Sequence, residues 1–199
     1  MARPSRAHER RAHLIAAARR SVVERGLLGL RLRDVSEKAG MSSGSVLYYF
    51  PGLTELLREV HREAVERFCD ERAAAIRQEG DPRRKLDAMI ASGLPGEPRD
   101  ELCVLLYELG AFARRDPACA AAYIGLYERQ VGLYMAILEA GAASGAFTLT
   151  GEPLTIARNL VTLEDGYGLH ITMAVPTLSP AVAERHLRAY ASSATGVEL

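Results

Sequence analysis

Tryptophan is missing from this sequence, and its 199 residues include only eight Tyr and four Phe. Three cysteines, Cys69, Cys103 and Cys119, lie far apart and are odd in number, which argues against both a disulfide framework and a zinc cluster. No apolar run reaches the roughly 18 residues of a membrane span. The basic start "MARPSRAHERRAHL" is not followed by the unbroken apolar stretch of a signal peptide. A cytoplasmic protein with no membrane contact is expected. Catalytic signatures are scarce as well. His8, His13, His61, His170 and His186 make no pair at metal-ligand spacing, and neither a Gly-rich phosphate loop nor a nucleophile motif occurs. Glu164 and Asp165 are a conceivable acid–base pair, but adjacent helix residues point about 100° apart, which argues against it. No catalytic residue, metal or cofactor is expected.

Net charge is also absent, but its zero hides an asymmetry. Residues 1–50 carry ten Lys/Arg against four acids, and the remaining 149 carry 15 basic and 21 acidic groups. A basic front on an acidic body is the pattern of a chain that meets a polyanion at one end. Hydrophobic content of 48% with 25% charge is ordinary for a globular protein.

What is present reads almost entirely as helix. The stretch 7–26 places Leu14, Ala18, Val22 and Arg25 at helical spacing with arginines opposite, and Gly26 ends it. Two short helices follow at 33–39 and 43–49. Ser42 caps the second, and Pro51–Gly52 stops it near Phe50. A stretch of about 26 residues, 53–78, without Pro or Gly predicts a helix roughly 39 Å long that joins two bodies. Further helices are expected at about 81–92, 99–114, 117–143, 153–174 and 179–193, several opened by an acid or serine before proline. No strand pattern of useful length occurs. The fold class is all-α, about nine helices.

The two short helices joined through a Gly-containing turn make a helix-turn-helix signature. The second helix of such a pair enters the major groove, its first residues facing base edges. Those residues are Ser42, Ser43, Gly44 and Ser45, small and capable of hydrogen bonding. Tyr48 and Tyr49 stand at the far end, read either as phosphate contacts or as core, and Phe50 reads as core. Arg3, Arg6, Arg10 and Arg11, with Arg31 and Arg33, are candidates for salt-sensitive backbone contacts.

At this point a family likeness is specific. "GLRLRDVSEKAGMSSGSVLYYFPGLTELL" resembles the DNA-binding domain of TetR/AcrR-family transcriptional regulators, whose pattern runs "AGVSxGxLYxYFxxKxxLL". Gly26, Val35, Ala39, Gly40, Ser42, Gly44, Tyr49, Phe50, Leu56 and Leu57 fall on it. Three positions depart. Leu47 stands where the family has a phosphate-touching tyrosine, and Leu53 replaces a lysine. Arg31–Leu32 take the place of the Thr or Ser that caps helix two. Lower nonspecific affinity per half-site is expected, with function retained. The resemblance implies a DNA-binding domain over 1–52. It implies a helical effector-binding and dimerisation domain over 53–199, with helix 53–78 connecting. It further implies a repressor released from a palindromic operator by a small molecule.

The C-terminal candidates follow from residue chemistry. Tyr123, Tyr127 and Tyr134 share a face of helix 117–143, with Gln130 nearby, while Cys103, Tyr107 and Phe112 lie on helix 99–114. Each reads either as lining a small-molecule cavity or as ordinary core. Met89, Glu164 and Tyr167 join them as candidate ligand contacts. "NLVTLEDGYGLHITM" sets Glu164, Asp165 and His170 in an apolar helix, where charge needs a partner. It also resembles the penultimate helix of regulators with a betaine-repressor-like C-terminal domain. The resemblance pairs this helix and the last one across a twofold axis, with Gly166 and Gly168 permitting close approach and Val182, His186 or Leu187, and Tyr190 on the facing side. A different class, a helical adaptor docking on an acidic partner, lacks the Lys/Arg-opposite-Leu/Phe pattern of a surface-binding helix.

Overall fold

A computed structural model describes residues 6–199, so Arg3 lies outside the described residues. Among the described residues there are nine α-helices and no strand. They are α1 (Arg6–Arg25), α2 (Leu32–Lys38), α3 (Ser43–Tyr49), α4 (Leu53–Arg77), α5 (Pro82–Gly93), α6 (Glu101–Ala113), α7 (Pro117–Ala143), α8 (Pro153–Thr172) and α9 (Pro180–Thr195). No helix among them is long and apolar enough to cross a membrane.

The helix starts are chemically explicit. Asp81 accepts the Arg84 N–H at 3.0 Å ahead of Pro82, and Ser179 accepts the Val182 N–H at 3.3 Å ahead of Pro180. Asp100 and Asp116 take the same role for α6 and α7, each accepting from a cysteine N–H at 3.0 Å. The start of α2, which has no Thr or Ser cap, is closed another way. Arg31 has no side-chain acceptor, but the Asp34 carboxylate three residues on accepts the Arg31 N–H at 2.8 Å, which is the return half of a capping box. Asp34 also pairs with Arg25 at 3.2 Å. That explains a correction at the end of α1: Arg25 is exposed and ion-paired, not part of the inward stripe of Leu14, Ala18 and Val22.

Two compact units divide the chain, and the division falls inside α4, α6 and α7. Unit 1 holds the described residues up to Val65 together with Val104–Tyr123. In it α1 packs on α2 and α2 on α3, and Leu14, Val22, Val35, Val46, Phe50 and Leu56 are fully buried. Arg58 of α4 grips Asp116 through its Nε and Nη2 at 2.8–3.1 Å, and that guanidinium holds the Asp116 carboxyl down at about 2.

Unit 2 holds Glu66–Cys103 and Ile124–Leu199. Its core is built from Leu86, Met89 and Ile90 of α5, Val131, Tyr134, Ile137 and Leu138 of α7, and Ile156, Leu160 and Val161 of α8. Leu187 and Ala191 of α9 complete it. Leu187 is therefore interior, not a residue of an outer face: it sits on the α9 stripe shared with Ala183 and Ala191. Gly168 is buried within its own unit, whereas Gly166 is exposed with open space around it.

Candidate nucleic-acid interface and buried polar cluster

The turn between α2 and α3 is set by Gly40 at φ +62°. The Gly40 N–H reaches the Glu37 carbonyl at 3.1 Å and the Met41 N–H the Ser36 carbonyl at 2.9 Å. This is the glycine-dependent Schellman closure that reverses the chain within two residues. Ser42 then caps α3, accepting the Ser45 N–H at 3.1 Å, and the two hydroxyls lie 2.8 Å apart. Ser43 turns back toward α2, with its hydroxyl 3.1 Å from that of Ser36. Of the four small residues, Ser42, Gly44 and Ser45 are exposed and Ser43 is half-buried.

Gly44 is helical, and a Cβ built there meets only the Ser42 hydroxyl, at 4.0 Å. The fold therefore has no packing use for a glycine at this position. Tyr48 is 83% exposed and Phe50 fully buried. Between them Tyr49 is half-buried, its ring edge-on to Tyr48 at 5.0 Å. The side chains of Arg6, Arg10, Arg31 and Arg33 are exposed. Arg11 has a structural part as well. Its guanidinium donates to the Tyr49 carbonyl at 2.7 Å and lies 4.2 Å from the Phe50 ring centre. It thus ties α1 to the end of α3. Leu47 is 49% exposed on the same helix, so it fills no core position.

The nine C-terminal candidates are divided between the two units. Tyr107, Phe112 and Tyr123 belong to unit 1. There Phe112 lines an open groove of about 610 Å³ with Leu27, Leu28, Glu108 and Arg115. In this unit Glu108 accepts the Leu27 N–H at 3.1 Å. Met89, Tyr134 and Glu164 meet in the interior of unit 2, with Tyr127 and Tyr167 packed against the same core. Cys103 is also in unit 2, and burial pushes its thiol up.

The centre of that interior is Arg72 of α4, a residue whose charge alone would place it at the surface. It is fully buried. It donates through Nη2 to Glu164 Oε1 at 2.8 Å and through Nη1 to Glu164 Oε2 at 2.9 Å. Nη1 also reaches Gln130 Oε1 at 2.8 Å, and Nη2 the Met89 carbonyl at 3.1 Å. Only its Nε is left without a hydrogen-bond partner. Tyr134 donates its hydroxyl to Glu164 Oε1 at 2.5 Å. Burial pushes the Glu164 carboxyl up, while the guanidinium and the phenol pull it back. Two guanidinium bonds and a phenol donation on one carboxylate make an ionised pair. Burial and the neighbouring carboxylate raise Tyr134, which keeps it a donor.

Gly93 makes room for this pair: a methyl there would stand 2.0 Å from Glu164 Oε1 and 2.5 Å from Arg72 Nη1. Two signals for Arg72 were in the sequence. It continues the four-residue stripe Val60, Ala64, Phe68, and a lone Glu in apolar α8 requires a cation. Asp165 is half-buried, and burial beside Glu164 raises it to about 6. His170, read as a charge in an apolar helix, is exposed and needs no partner.

Comparison with known proteins agrees with this architecture. Residues 14–60 match the bacterial regulatory proteins of the tetR family, and residues 82–196 match the C-terminal region of the BetI-type transcriptional repressors. The HTH-type transcriptional regulator BetI of Burkholderia ambifaria is 40% identical over 87 residues, 42% of this chain and 43% of that one. The alignment thus spans less than half of that relative. A Saccharomonospora viridis protein described as a transcriptional regulator, solved in complex with choline, superposes with a TM-score of 0.85 at 22% identity, covering 92% and 95% of the two chains. A TetR transcription regulator from Haloarcula marismortui gives 0.84 at 22%, covering 94% and 98%. At that identity the likeness shows the fold. Both matched families describe regulators and not enzymes. Taken with the helix-turn-helix geometry, the two matches show that the chain belongs to the TetR family of bacterial regulatory proteins, with the C-terminal region of the BetI-type transcriptional repressors.

Proposed function

We propose that the chain is a transcriptional repressor that holds a palindromic operator as a homodimer and releases it when its C-terminal region takes up a small molecule. The observation that carries the reading is the outer surface of α3. Ser42, Gly44 and Ser45 are exposed and small at its start, Tyr48 is exposed at its end, and Gly44 has no structural reason to be a glycine. Backbone can come close to base edges there, while Tyr48, Tyr49, Arg6, Arg10, Arg31 and Arg33 supply phosphate contacts. Ser43, bonded to Ser36, supports the cap and contributes its backbone.

Residues 1–52 form the reader in this proposal. Residues 53–199 form the effector-binding and dimerisation region, connected through α4. The effector site is proposed in unit 2, beside Cys103, Tyr127 and Tyr167, with Met89, Tyr134 and Glu164 forming the filled interior behind it around Arg72. Dimerisation is proposed through α8 and α9. Exposed Leu169 and Met173 and exposed Gly166, His170 and His186 supply an outer surface there, as a twofold contact requires.

Selection of bound sites from random duplex DNA with the full chain is the test. A twofold-symmetric site is expected, its half-sites roughly 34–36 Å apart or a multiple of that. Small molecules, with choline as the reference compound, are then screened for release of that site. A pool in which no sequence is enriched would contradict the proposal.

A further inference from the structure

The surroundings of the Arg72 guanidinium are those of a receptor for an organic cation. Its two terminal nitrogens meet only acceptors: both Glu164 oxygens, Gln130 Oε1 and the Met89 carbonyl, all within 3.1 Å. Two aromatic rings flank it, Phe68 with its centre 5.3 Å away and Tyr134 at 5.7 Å. Tyr134 also steers the carboxylate by donating to Glu164 Oε1. Gly93 clears the wall where a side chain would collide with the ion pair. Four helices supply the parts. Arg72 comes from α4, Met89 and Gly93 from α5, Gln130 and Tyr134 from α7, and Glu164 from α8. Arg72, Met89 and Tyr134 are fully buried, and Glu164 is 1% exposed.

We infer that this box is a guanidinium-binding site whose resident is the chain's own Arg72, so that it is closed to free organic cations as long as that side chain is present. Its geometry selects a planar fork of N–H donors. A quaternary ammonium has no N–H and would leave Gln130, the Met89 carbonyl and both carboxylate oxygens without that fork's donors, at a cost that ring contacts alone do not offset. The inference goes beyond the proposed function and holds whether or not a small molecule releases the DNA. It predicts that choline gains nothing from Glu164 in this chain.

The experiment uses the full chain with ethylguanidinium, which matches the end of an arginine side chain. The wild type is expected to show no binding heat with ethylguanidinium or choline that Glu164→Gln abolishes. The truncation Arg72→Ala empties the box. At about ten times a millimolar-range Kd, ethylguanidinium is expected to raise its melting temperature by about 3–6 °C. Tetramethylammonium at equal ionic strength is expected to do nothing, and Arg72→Ala/Glu164→Gln to lose the response. If Arg72→Ala is unfolded alone, the readout becomes recovery of helical circular dichroism on dilution from urea, expected with ethylguanidinium and not with tetramethylammonium. Two results overturn the inference. One is wild-type binding of either cation that depends on Glu164. The other is an Arg72→Ala chain, folded or refolding, that ignores ethylguanidinium. DNA binding is measured separately, so failure here leaves the operator reading intact.

Discussion

Replacing Glu164 with Leu removes the carboxylate that neutralises a fully buried arginine. Two guanidinium bonds disappear, those to Gln130 and the Met89 carbonyl remain, and Tyr134 loses its acceptor. Bonds to a charged partner contribute about 1.5–3 kcal/mol each, and stranding a buried hydroxyl costs about 1–3 kcal/mol. Direct measurements of half-broken buried pairs centre on about 3–5 kcal/mol, so we expect a loss of about 4 kcal/mol. In a chain of this length that corresponds to a fall in Tm of about 8–16 °C. The triple variant Arg72→Met/Tyr134→Phe/Glu164→Leu takes all the partners away together and keeps similar volume. It is expected within about 2 kcal/mol of wild type, because a buried ion pair recovers little beyond its desolvation cost. Urea unfolding followed by circular dichroism at one protein concentration measures both, with an unchanged m value as the check on two-state behaviour. A Glu164→Leu loss below about 1 kcal/mol, or a triple variant as unstable as the single, would show that burial of the pair is not what sets the cost.

Other expectations are more local. Gly44→Ala should stabilise α3 by about 0.5–1 kcal/mol, since the backbone is helical and the space open, yet weaken operator binding in a fluorescence anisotropy titration. Gly93→Ala should cost about 1–3 kcal/mol in urea unfolding through overpacking, because the Glu164 carboxylate it would strike is held by three hydrogen bonds. Asp165, raised to about 6 by burial and by Glu164 against the pull of Arg72, binds its proton more tightly folded than unfolded. Stability should therefore decline as pH rises from about 4 through about 6, and Asp165→Asn should remove that decline in melts across the range. Asp116, held at about 2 by Arg58, has the opposite sign. Its contribution is present above the ordinary carboxylate range and lost as pH falls toward 2, and Asp116→Asn should flatten the acid limb.

Helix positions were legible in the sequence because their ends are local chemistry. Proline at the first helical position marks α5, α7, α8 and α9, and Gly40 and Pro51–Gly52 bracket the reading helix. Exposure on α3 was legible for Ser42, Gly44, Ser45 and Tyr48, where polarity and helical phase agree. Ser43 was not, since its partner Ser36 lies across a turn whose direction depends on Gly40. Arg72 and Glu164 are 92 residues apart, and no periodicity links them. Only the energetic demand of a buried carboxylate points from one to the other, and that demand names a charge, not a residue. The spacing of Tyr123, Tyr127 and Tyr134 put them on one face of a long helix. Helical phase says nothing of which neighbours change along that helix, and Tyr123 falls in one unit and Tyr134 in the other.

Whether α3 reads a specific duplex is decided by titrating the full chain against its selected site and against a scrambled duplex of equal length, over a series of salt concentrations. Binding to the selected site is expected to be at least about 10³-fold tighter than to the scramble, with log affinity falling linearly with log salt for both. Equal affinity for the two duplexes, or no binding to either at about 50 mM salt, would show that α3 is not a sequence reader.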